Sequence, residues 1–175
     1  MIISKKVKLR EKRLADVPLD YSWQIDPELV QLDAAPLLTI SFQQYLSEYT
    51  RELRYPSLTR QRFAIETLDG KHIGNCIYYG IDEAKGEAEL GIMIGDRDYW
   101  DKGYGASAVT TIVNHIFQQT KLKRIYLKTL ESNTRAQKCF TKCSFTPCGH
   151  LNRDGYNFLL MELNRKHWLK QQAES

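Results

Sequence analysis

A glycine-containing loop between an apolar strand pattern and an apolar helix pattern is the first segment of this sequence that suggests chemistry. It covers residues 95–105 and places Gly103 and Gly105 directly before the helical pattern that begins at Ala106. Glycine permits positive φ angles and a close approach of the backbone to a ligand. The free N–H groups at a helix start bind anions, above all phosphates. The loop therefore predicts a phosphate site, with an ordinary strand-to-helix turn as the alternative.

Two nucleotide-binding loops can be compared with this segment. Residues 103–108 match the dinucleotide pattern G-x-G-x-x-A. That loop should follow its strand directly in an early βαβ unit, but here residues 95–102 intervene and three strand patterns come first. The acidic residue expected about 20 positions later is poorly placed, because residues 123–125 are Lys-Arg-Ile. No Walker sequence occurs, so neither nucleotide loop is favoured.

Carboxylates and thiols are the other side chains that could react. Glu87 and Glu89 lie two residues apart on one face of a strand pattern, where a carboxylate could take a proton from a nucleophile. A group of potential metal ligands follows later in the chain: Cys139, Cys143, Cys148 and His150. Their spacing is not a usual zinc spacing, so no metal site is predicted.

The elements that must position these residues form a mixed sheet. Alternating apolar residues predict strands over residues 5–10 (as an edge strand), 62–68, 72–79, 87–94, 124–130, 144–151 and 155–163. Helical spacing predicts helices over residues 41–53, 106–117 and 133–143, and short helices opening at Asp16 and Asp26. A helix between strands 87–94 and 124–130 predicts a right-handed crossover, which makes those strands parallel neighbours. The expected fold class is α/β (α+β), a mostly antiparallel sheet of about six to seven strands flanked by helices.

Length and composition limit the function classes. The 175 residues predict one domain over 1–175, with a core at about 5–163 and a polar, exposed helical tail at 164–175. The net charge of +4 and pI of 8.8 do not favour a nucleic-acid partner, for which a pI above about 9 and a clustered basic stripe are typical. No apolar run is long enough for a membrane span and no signal peptide pattern is present, so a cytoplasmic location is expected.

Three motifs together resemble the GNAT acetyltransferase superfamily. Residues 100–105, Trp-Asp-Lys-Gly-Tyr-Gly, resemble its pyrophosphate loop, with Trp100 in place of the usual Gln or Arg. Residues 133–145 resemble N-x-R-A-x-x-x-[Y/F]-x-K-x-G-F, and residues 89–94 are similar to the family's splayed strand. The resemblance covers about residues 5–163 and is greatest to ribosomal-protein alanine and polyamine N-acetyltransferases.

This resemblance implies acetyl-CoA as cosubstrate and assigns residues to it. The pantetheine arm would pair with the backbone of Ile92, Met93 and Ile94. The pyrophosphate would be held by the segment Trp100, Asp101, Lys102, Gly103, Tyr104, Gly105, Ala106 and Ser107. Asn133 would contact the pantetheine, or the cofactor near the thioester. Three basic residues could meet the nucleotide phosphates or lie on a solvated helix surface: Arg135, Lys138 and Lys142.

The implied reaction is attack of a neutral primary amine on the thioester. Glu89 is the first candidate for the base, with Glu87 or a water relay as alternatives. Backbone N–H groups near Met93 or Ile94 would stabilise the oxyanion. Phe140 occupies the position where the family often has a Tyr as general acid, so it is expected to pack against the cofactor. The CoA sulfur then leaves as the thiolate, or Tyr104, Tyr126 or a water supplies the proton instead.

The acceptor stays open at this stage. A protein N-terminus, a polyamine, an amino sugar or an aminoglycoside all fit, a homodimer is possible, and a non-catalytic acyl-CoA-binding module is the alternative function. A cationic acceptor would require acidic residues concentrated around its cleft. Trp23, Tyr45, Tyr49 and Tyr55 are candidates to border that cleft, with ordinary packing as the alternative for Tyr45 and Tyr49.

Overall fold

A computed structural model describes residues 1–174, which contain eight strands and six α-helices besides two short 3-10 helices. The strands are β1 (Ile2–Ile3), β2 (Val7–Glu11), β3 (Arg60–Thr67), β4 (His72–Asp82), β5 (Glu87–Ile94), β6 (Arg124–Leu130), β7 (Thr146–Arg153) and β8 (Tyr156–Asn164). The helices are α1 (Val17–Gln24), α2 (Pro27–Leu32), α3 (Phe42–Arg54), α4 (Tyr104–Gln119), α5 (Thr134–Lys142) and α6 (Arg165–Glu174).

The eight strands form one sheet in the order β1-β2-β3-β4-β5-β6-β8-β7. Every neighbouring pair is antiparallel except β5 and β6, so the predicted mixed sheet and its parallel crossover are confirmed. The predicted edge position of the first strand is wrong, since β2 pairs with both β1 and β3. The two-residue β1 is too short to give a sequence pattern and is formed by a tight turn, in which the Ser4 amide donates to the Val7 carbonyl at 2.9 Å.

The parallel pair separates soon after it forms. β5 and β6 are paired only from Glu87 to Glu89 against Arg124 to Tyr126, whereas β6 stays paired with β8 along its full length. The edge of β5 from Leu90 onward therefore lacks a strand partner on the β6 side. Unpaired backbone groups at such an edge are available to an extended ligand.

The two faces of the sheet have different roles. One face packs on α4, where Ala108, Ile112 and Ile116 are fully buried against β2, β4 and β5. On the other face, residues at alternate positions of β3, β4 and β5 point toward the side of α1 and α3. The sheet thereby presents one apolar face to its main helix and one polar face to a cleft.

The C-terminal helix is anchored rather than exposed throughout. Trp168 is buried, lies 5.3 Å from Phe117 between ring centroids, and donates from Nε1 to the Asn114 Oδ1 at 2.7 Å. The predicted polar helical tail is therefore exposed at most of its described positions and packs against the protein through Trp168. Ser175 lies outside the described residues. None of the helices within residues 1–174 is long and apolar enough to cross a bilayer.

Candidate active site

The loop before α4 is shaped to expose backbone amides. Asp101 and Gly103 both have positive φ angles, 55° and 82°. The Ser107 amide donates to the Gly103 carbonyl as the first helical bond at 3.0 Å, which leaves the N–H groups of Tyr104, Gly105 and Ala106 without intrahelical acceptors. These amides lie at the positive end of a 16-residue helix. The arrangement can bind a phosphate or pyrophosphate.

Trp100 fixes this loop to its neighbours. Its Nε1 donates to the Ile94 carbonyl at 2.7 Å, which ties the loop to the end of β5. The Arg135 guanidinium lies 3.5 Å from the centroid of the Trp100 ring, which ties the loop to α5 by a cation–π contact. Trp100 thus links the three elements that the resemblance assigned to the cofactor.

A first cleft of about 400 Å³ lies among β5, this loop, α2 and α5. Ten of the thirteen predicted cofactor-binding residues line it: Ile92, Met93, Ile94, Trp100, Asp101, Gly103, Gly105, Ala106, Asn133 and Phe140. We call this the cofactor cleft. Phe140 is buried at the cleft wall, with its ring centroid 6.1 Å from that of Phe145.

The other three predicted residues do not line this cleft. Lys102 Nζ donates to the Asp98 carbonyl at 2.7 Å, and the Ser107 hydroxyl lies 2.9 Å from that of Ser4. The Tyr104 ring packs edge-on against Tyr99 at 4.9 Å. Their side chains therefore serve the fold of the loop, and only the Tyr104 backbone amide is left at the helix start.

The first turns of α5 contribute a cap and positive charge. Asn133 caps the helix through its side-chain oxygen, which accepts from the Ala136 amide at 3.1 Å. Arg135, Lys138 and Lys142 line the cofactor cleft, and none has an ion pair within residues 1–174. These cations suit the phosphates of a nucleotide-bearing ligand.

A second cleft of about 480 Å³ lies on the polar face of the sheet beneath α3. It shares Asp33, Ile92 and Met93 with the cofactor cleft. We call it the acceptor cleft. The unpaired edge of β5 is thus the place where a ligand in one cleft would reach a ligand in the other.

Glu89 lines the acceptor cleft with its side chain largely buried. Its Oε1 lies 3.0 Å from the Lys128 Nζ. Burial, followed by a hydrogen bond to Glu89, raises the pKa of Tyr79 well above its ordinary value, which keeps this phenol protonated as a donor. Glu87 does not line the cleft and pairs instead with Arg124 at 2.9 Å. Of the two predicted candidates, only Glu89 therefore faces the meeting point of the clefts.

Comparison with known proteins identifies the family. The model of the acetyltransferase (GNAT) domain matches residues 6–146. The chain belongs to the GNAT acetyltransferases. The predicted family, N-acetyl transfer and acetyl-CoA cosubstrate are confirmed.

Relatives of this acetyltransferase are found at moderate sequence distance. An uncharacterized N-acetyltransferase, p20 of Bacillus licheniformis, is 26% identical over 151 residues, which span 86% of this chain and 84% of that protein. The spermine/spermidine N(1)-acetyltransferase of Bacillus subtilis (strain 168) is 28% identical over 100 residues, 54% of this chain and 66% of that protein.

Solved structures share the fold at lower identity. The spermidine N-acetyltransferase of Vibrio cholerae, in complex with CoA and spermine, has a TM-score of 0.84 at 19% identity and covers 95% of this chain and 99% of that chain. The aminoglycoside acetyltransferase AAC(6')-Ib, in complex with ribostamycin and coenzyme A, has a TM-score of 0.79 at 18% identity and covers 98% of this chain and 100% of that one.

Asp33 is a residue of this acetyltransferase that the sequence analysis missed. It follows α2 and lines both clefts, and within residues 1–174 it has no ion pair. Asp33 is exposed where the two clefts meet, and the partial desolvation of its carboxyl by the protein around it raises the carboxyl pKa to about 6. One feature of the sequence could have pointed to Asp33. It is an acidic residue at the C-terminus of α2, where the helix dipole disfavours negative charge.

Some of the aromatic residues expected at the acceptor cleft line it, and the others pack elsewhere or are exposed. Tyr45 and Tyr49 line the acceptor cleft, although Tyr49 is almost fully buried. Trp23 does not line it. A Cβ on Gly95 would lie 2.2 Å from the Trp23 ring, so this tryptophan packs directly on the glycine that follows β5. Tyr55 is exposed and does not line the cleft either, so the expectation that Trp23 and Tyr55 border it is wrong.

A buried polar network forms the floor of the acceptor cleft. Asp20 accepts from the Tyr49 hydroxyl at 2.9 Å and from Asn75 Nδ2 at 2.8 Å, and Lys12 Nζ lies 2.6 Å from its carboxylate. His72 Nε2 lies 3.0 Å from the same carboxylate. Burial alone would raise the pKa of Asp20, but these hydrogen bonds and the Lys12 charge hold it well below its ordinary value. The network joins α1 and α3 to β4 and so fixes the walls of the cleft.

Proposed function

We propose that this protein acetylates a primary amine by direct attack on the thioester of acetyl-CoA, at the edge of β5 where the cofactor and acceptor clefts meet. The observation that supports this most is the shared lining of the two clefts by Ile92, Met93 and Asp33. A thioester at that edge would be open to an amine from the other side. Direct transfer then needs no acetylated enzyme intermediate.

The cofactor assignment combines three kinds of contact. The free amides of Tyr104, Gly105 and Ala106 would bind the pyrophosphate, and the unpaired edge of β5 would bind the pantetheine as an added strand. The cations of α5 would bind the nucleotide phosphates. A backbone N–H near Met93 or Ile94 would stabilise the oxyanion. Phe140 offers no proton, so the CoA sulfur would leave as the thiolate.

Two carboxylates are candidates to accept the proton of the amine. Glu89, the predicted base, faces the acceptor cleft but is already paired with Lys128. Asp33 lies where both clefts meet, is free of ion pairs within residues 1–174, and has a carboxyl pKa of about 6. A base with a pKa near the working pH is efficient in proton transfer, which favours Asp33 as a second candidate.

A non-catalytic acyl-CoA-binding module is the alternative function. Phe140 stands where the family often has a Tyr as general acid, and phenylalanine cannot donate a proton. Thermal shift with acetyl-CoA, CoA and NAD, followed by thiol release with a panel of amines, separates the possibilities. We expect stabilisation by acetyl-CoA and CoA, none by NAD, and thiol release with at least one amine. Tight acetyl-CoA binding without turnover on any amine would favour the binding module. Stabilisation by NAD alone would contradict both functions.

The cellular setting of the reaction is also part of this proposal. We propose a cytoplasmic location, where acetyl-CoA is available, one domain over residues 1–175, and reduced cysteines. The described thiols are all free, which agrees with a reducing compartment. A homodimer stays a prediction, and size-exclusion chromatography with light scattering would test it.

A further inference from the structure

The charged side chains that line the acceptor cleft do not form an acidic surface. Four carboxylates and five cationic side chains line it: Asp33, Glu48, Glu52, Glu89, Lys12, Arg60, Arg62, Lys128 and Arg153. A polycationic amine would be bound best by several carboxylates free to pair with its ammonium groups. The cleft does not have that excess of negative charge.

Ion pairs neutralise two of the four carboxylates, whereas Asp33 and Glu48 have no ion pair within residues 1–174. Glu89 is paired with Lys128 at 3.0 Å. Glu52 is shared by two arginines, Arg60 and Arg62. Either carboxylate would have to lose a cationic partner before it could bind a second ammonium group.

Arg60 and Arg62 place two positive charges around one carboxylate, that of Glu52. They occupy alternate positions of β3, so both side chains lie on the polar face of the sheet. The two guanidinium groups share one carboxylate, and each bonds to Glu52 through a single nitrogen. A guanidinium has five N–H donors, so donors are left for another anion. Their side chains are 41% and 33% exposed, which leaves them accessible from the cleft.

Strand register places this arginine pair near the place where the clefts meet. Arg62 lies opposite Ile77, which lies opposite Gly91, and Gly91 is on the unpaired part of β5. Two strand spacings, roughly 10 Å, separate the backbones of Arg62 and Gly91. An acceptor whose amine lies at this edge can therefore extend across the sheet toward the arginines.

We propose that the acceptor of this enzyme carries an anionic group, a carboxylate or a phosphate, and that Arg60 and Arg62 bind it. The inference rests on the proposed function and names its substrate class. Guanidinium groups bind both anions with paired, charge-assisted hydrogen bonds. Glu52 holds the two arginines in place and is the internal anion that the acceptor group joins or displaces.

Matched acceptors test this inference. Trialanine and trialaninamide share the same amine and differ in the C-terminal carboxylate, which an extended chain places roughly 10 Å from that amine. Glucosamine 6-phosphate and glucosamine form the corresponding phosphate pair. We expect kcat/KM to be about tenfold higher for the anionic member of one pair. The pair that shows this preference identifies the carboxylate or the phosphate as the anion.

Substitutions assign the preference to the arginines. Arg60→Gln and Arg62→Gln should each reduce the kcat/KM ratio between the anionic and the neutral acceptor to about twofold or less. Because each substitution frees Glu52 from one arginine, it should also raise kcat/KM for spermidine. Arg51→Gln is the matched control, since Arg51 lies on the exposed side of α3 and lines neither cleft. Acetyl-CoA affinity is measured for each variant, and an unchanged affinity shows that the variant is folded.

Each outcome separates this inference from the proposed function. If amines are acetylated but neither pair shows a preference for its anionic member, or if the preference survives both arginine substitutions, the inference is wrong and acetylation stands. A wild-type preference for spermidine over all four probes would also overturn it. If no amine is acetylated by an enzyme that binds acetyl-CoA, the proposed function fails, and this inference fails with it.

Discussion

At the scale of single residues, local chemistry in the sequence predicted the cofactor side better than the acceptor side. Gly103 and Asn133 were predictable because a left-handed turn and a helix cap each demand particular residue types. Asp33 and Lys128 could not be predicted, since only tertiary packing brings them to the acceptor cleft. The position of Lys128 can be predicted once β6 is aligned with β5. Glu89 lies opposite Tyr126, and alternation along β6 then places Lys128 on the same face of the sheet as Glu89.

Substitution of Gly103 tests the phosphate loop. Gly103→Val introduces a β-branched residue at a φ of +82°, a strained conformation that distorts the amides at the start of α4. We expect at least a roughly tenfold loss of acetyl-CoA affinity by isothermal titration calorimetry. Gly70→Val is the control, since Gly70 has a φ of +94° in a turn outside both clefts. Unchanged affinity in Gly103→Val would refute the loop assignment.

Substitution of Asp33 tests its role as a base through pH dependence. A base with a pKa of about 6 loses activity as it is protonated, so kcat/KM should fall by a further tenfold per pH unit below pH 6. Asp33→Asn should be slower at neutral pH and lack this additional fall. A variant with the wild-type profile would exclude Asp33 as the base.

The same substitution has a stability readout. The folded pKa of Asp33 is raised above the ordinary value of 3.8, so the native state binds the proton more tightly. The wild-type free energy of unfolding should therefore gain a contribution as pH falls from about 6 toward 4. Urea unfolding of Asp33→Asn should lack that gain, and identical pH profiles would contradict the raised pKa.

Glu89→Gln tests the other candidate base. We expect lower turnover at neutral pH with little change in acetyl-CoA affinity, because Glu89 lines the acceptor cleft and not the cofactor cleft. Glu87→Gln is the matched control on the same strand, outside both clefts. If the rate and pH profile of Glu89→Gln match those of the wild type, Glu89 is not the base.

At the scale of elements, the separation of β5 from β6 creates the site. Sequence pattern predicted the strands, their parallel relation and the helix between them, because periodicity and crossover handedness are local rules. The sequence of β6 could not predict that only three residue pairs join it to β5, because its pattern of alternating apolar residues continues to Leu130. The observed gap depends on β6 staying paired with β8, a long-range contact that periodicity does not encode.

The buried network that joins α1 and α3 to β4 also operates at this scale. Asp20→Asn removes the nearer of the two buried carboxylates beside Lys12, at 2.6 Å against 3.8 Å for Asp16, and we expect a loss of about 3 kcal/mol in the free energy of unfolding. Asp69→Asn, in an exposed turn, is the control and should change it by less than about 0.5 kcal/mol. Urea denaturation at pH 7 measures both.

The pH dependence of that loss has a definite sign. The folded pKa of Asp20 lies below the ordinary value of 3.8, so its stabilisation is complete above that pH and declines as pH falls below it. The difference between wild type and Asp20→Asn should therefore narrow in acid. A difference that is absent at pH 7 would show that the network does not stabilise the fold.

At the scale of the whole molecule, net charge gave little information about the acceptor. The chain has a charge of +4, yet the charges are distributed by site: unpaired cations on α5 at the cofactor cleft and a mixed, largely paired set at the acceptor cleft. Such a distribution depends on which strands become neighbours. Composition therefore excluded classes of protein, whereas the proposal on the class of substrate rests on the arrangement of the strands.

The central claim is direct acetyl transfer from acetyl-CoA to an amine, and a single-turnover experiment tests it most directly. Excess enzyme is mixed with acetyl-CoA labelled with ¹³C in the acetyl group and with an amine that supports thiol release. Mass spectrometry then follows the label. We predict one labelled amide for each free CoA thiol and no mass increase on the protein at any time. Label that appears first on the protein, or thiol release without a labelled amide, would contradict the claim.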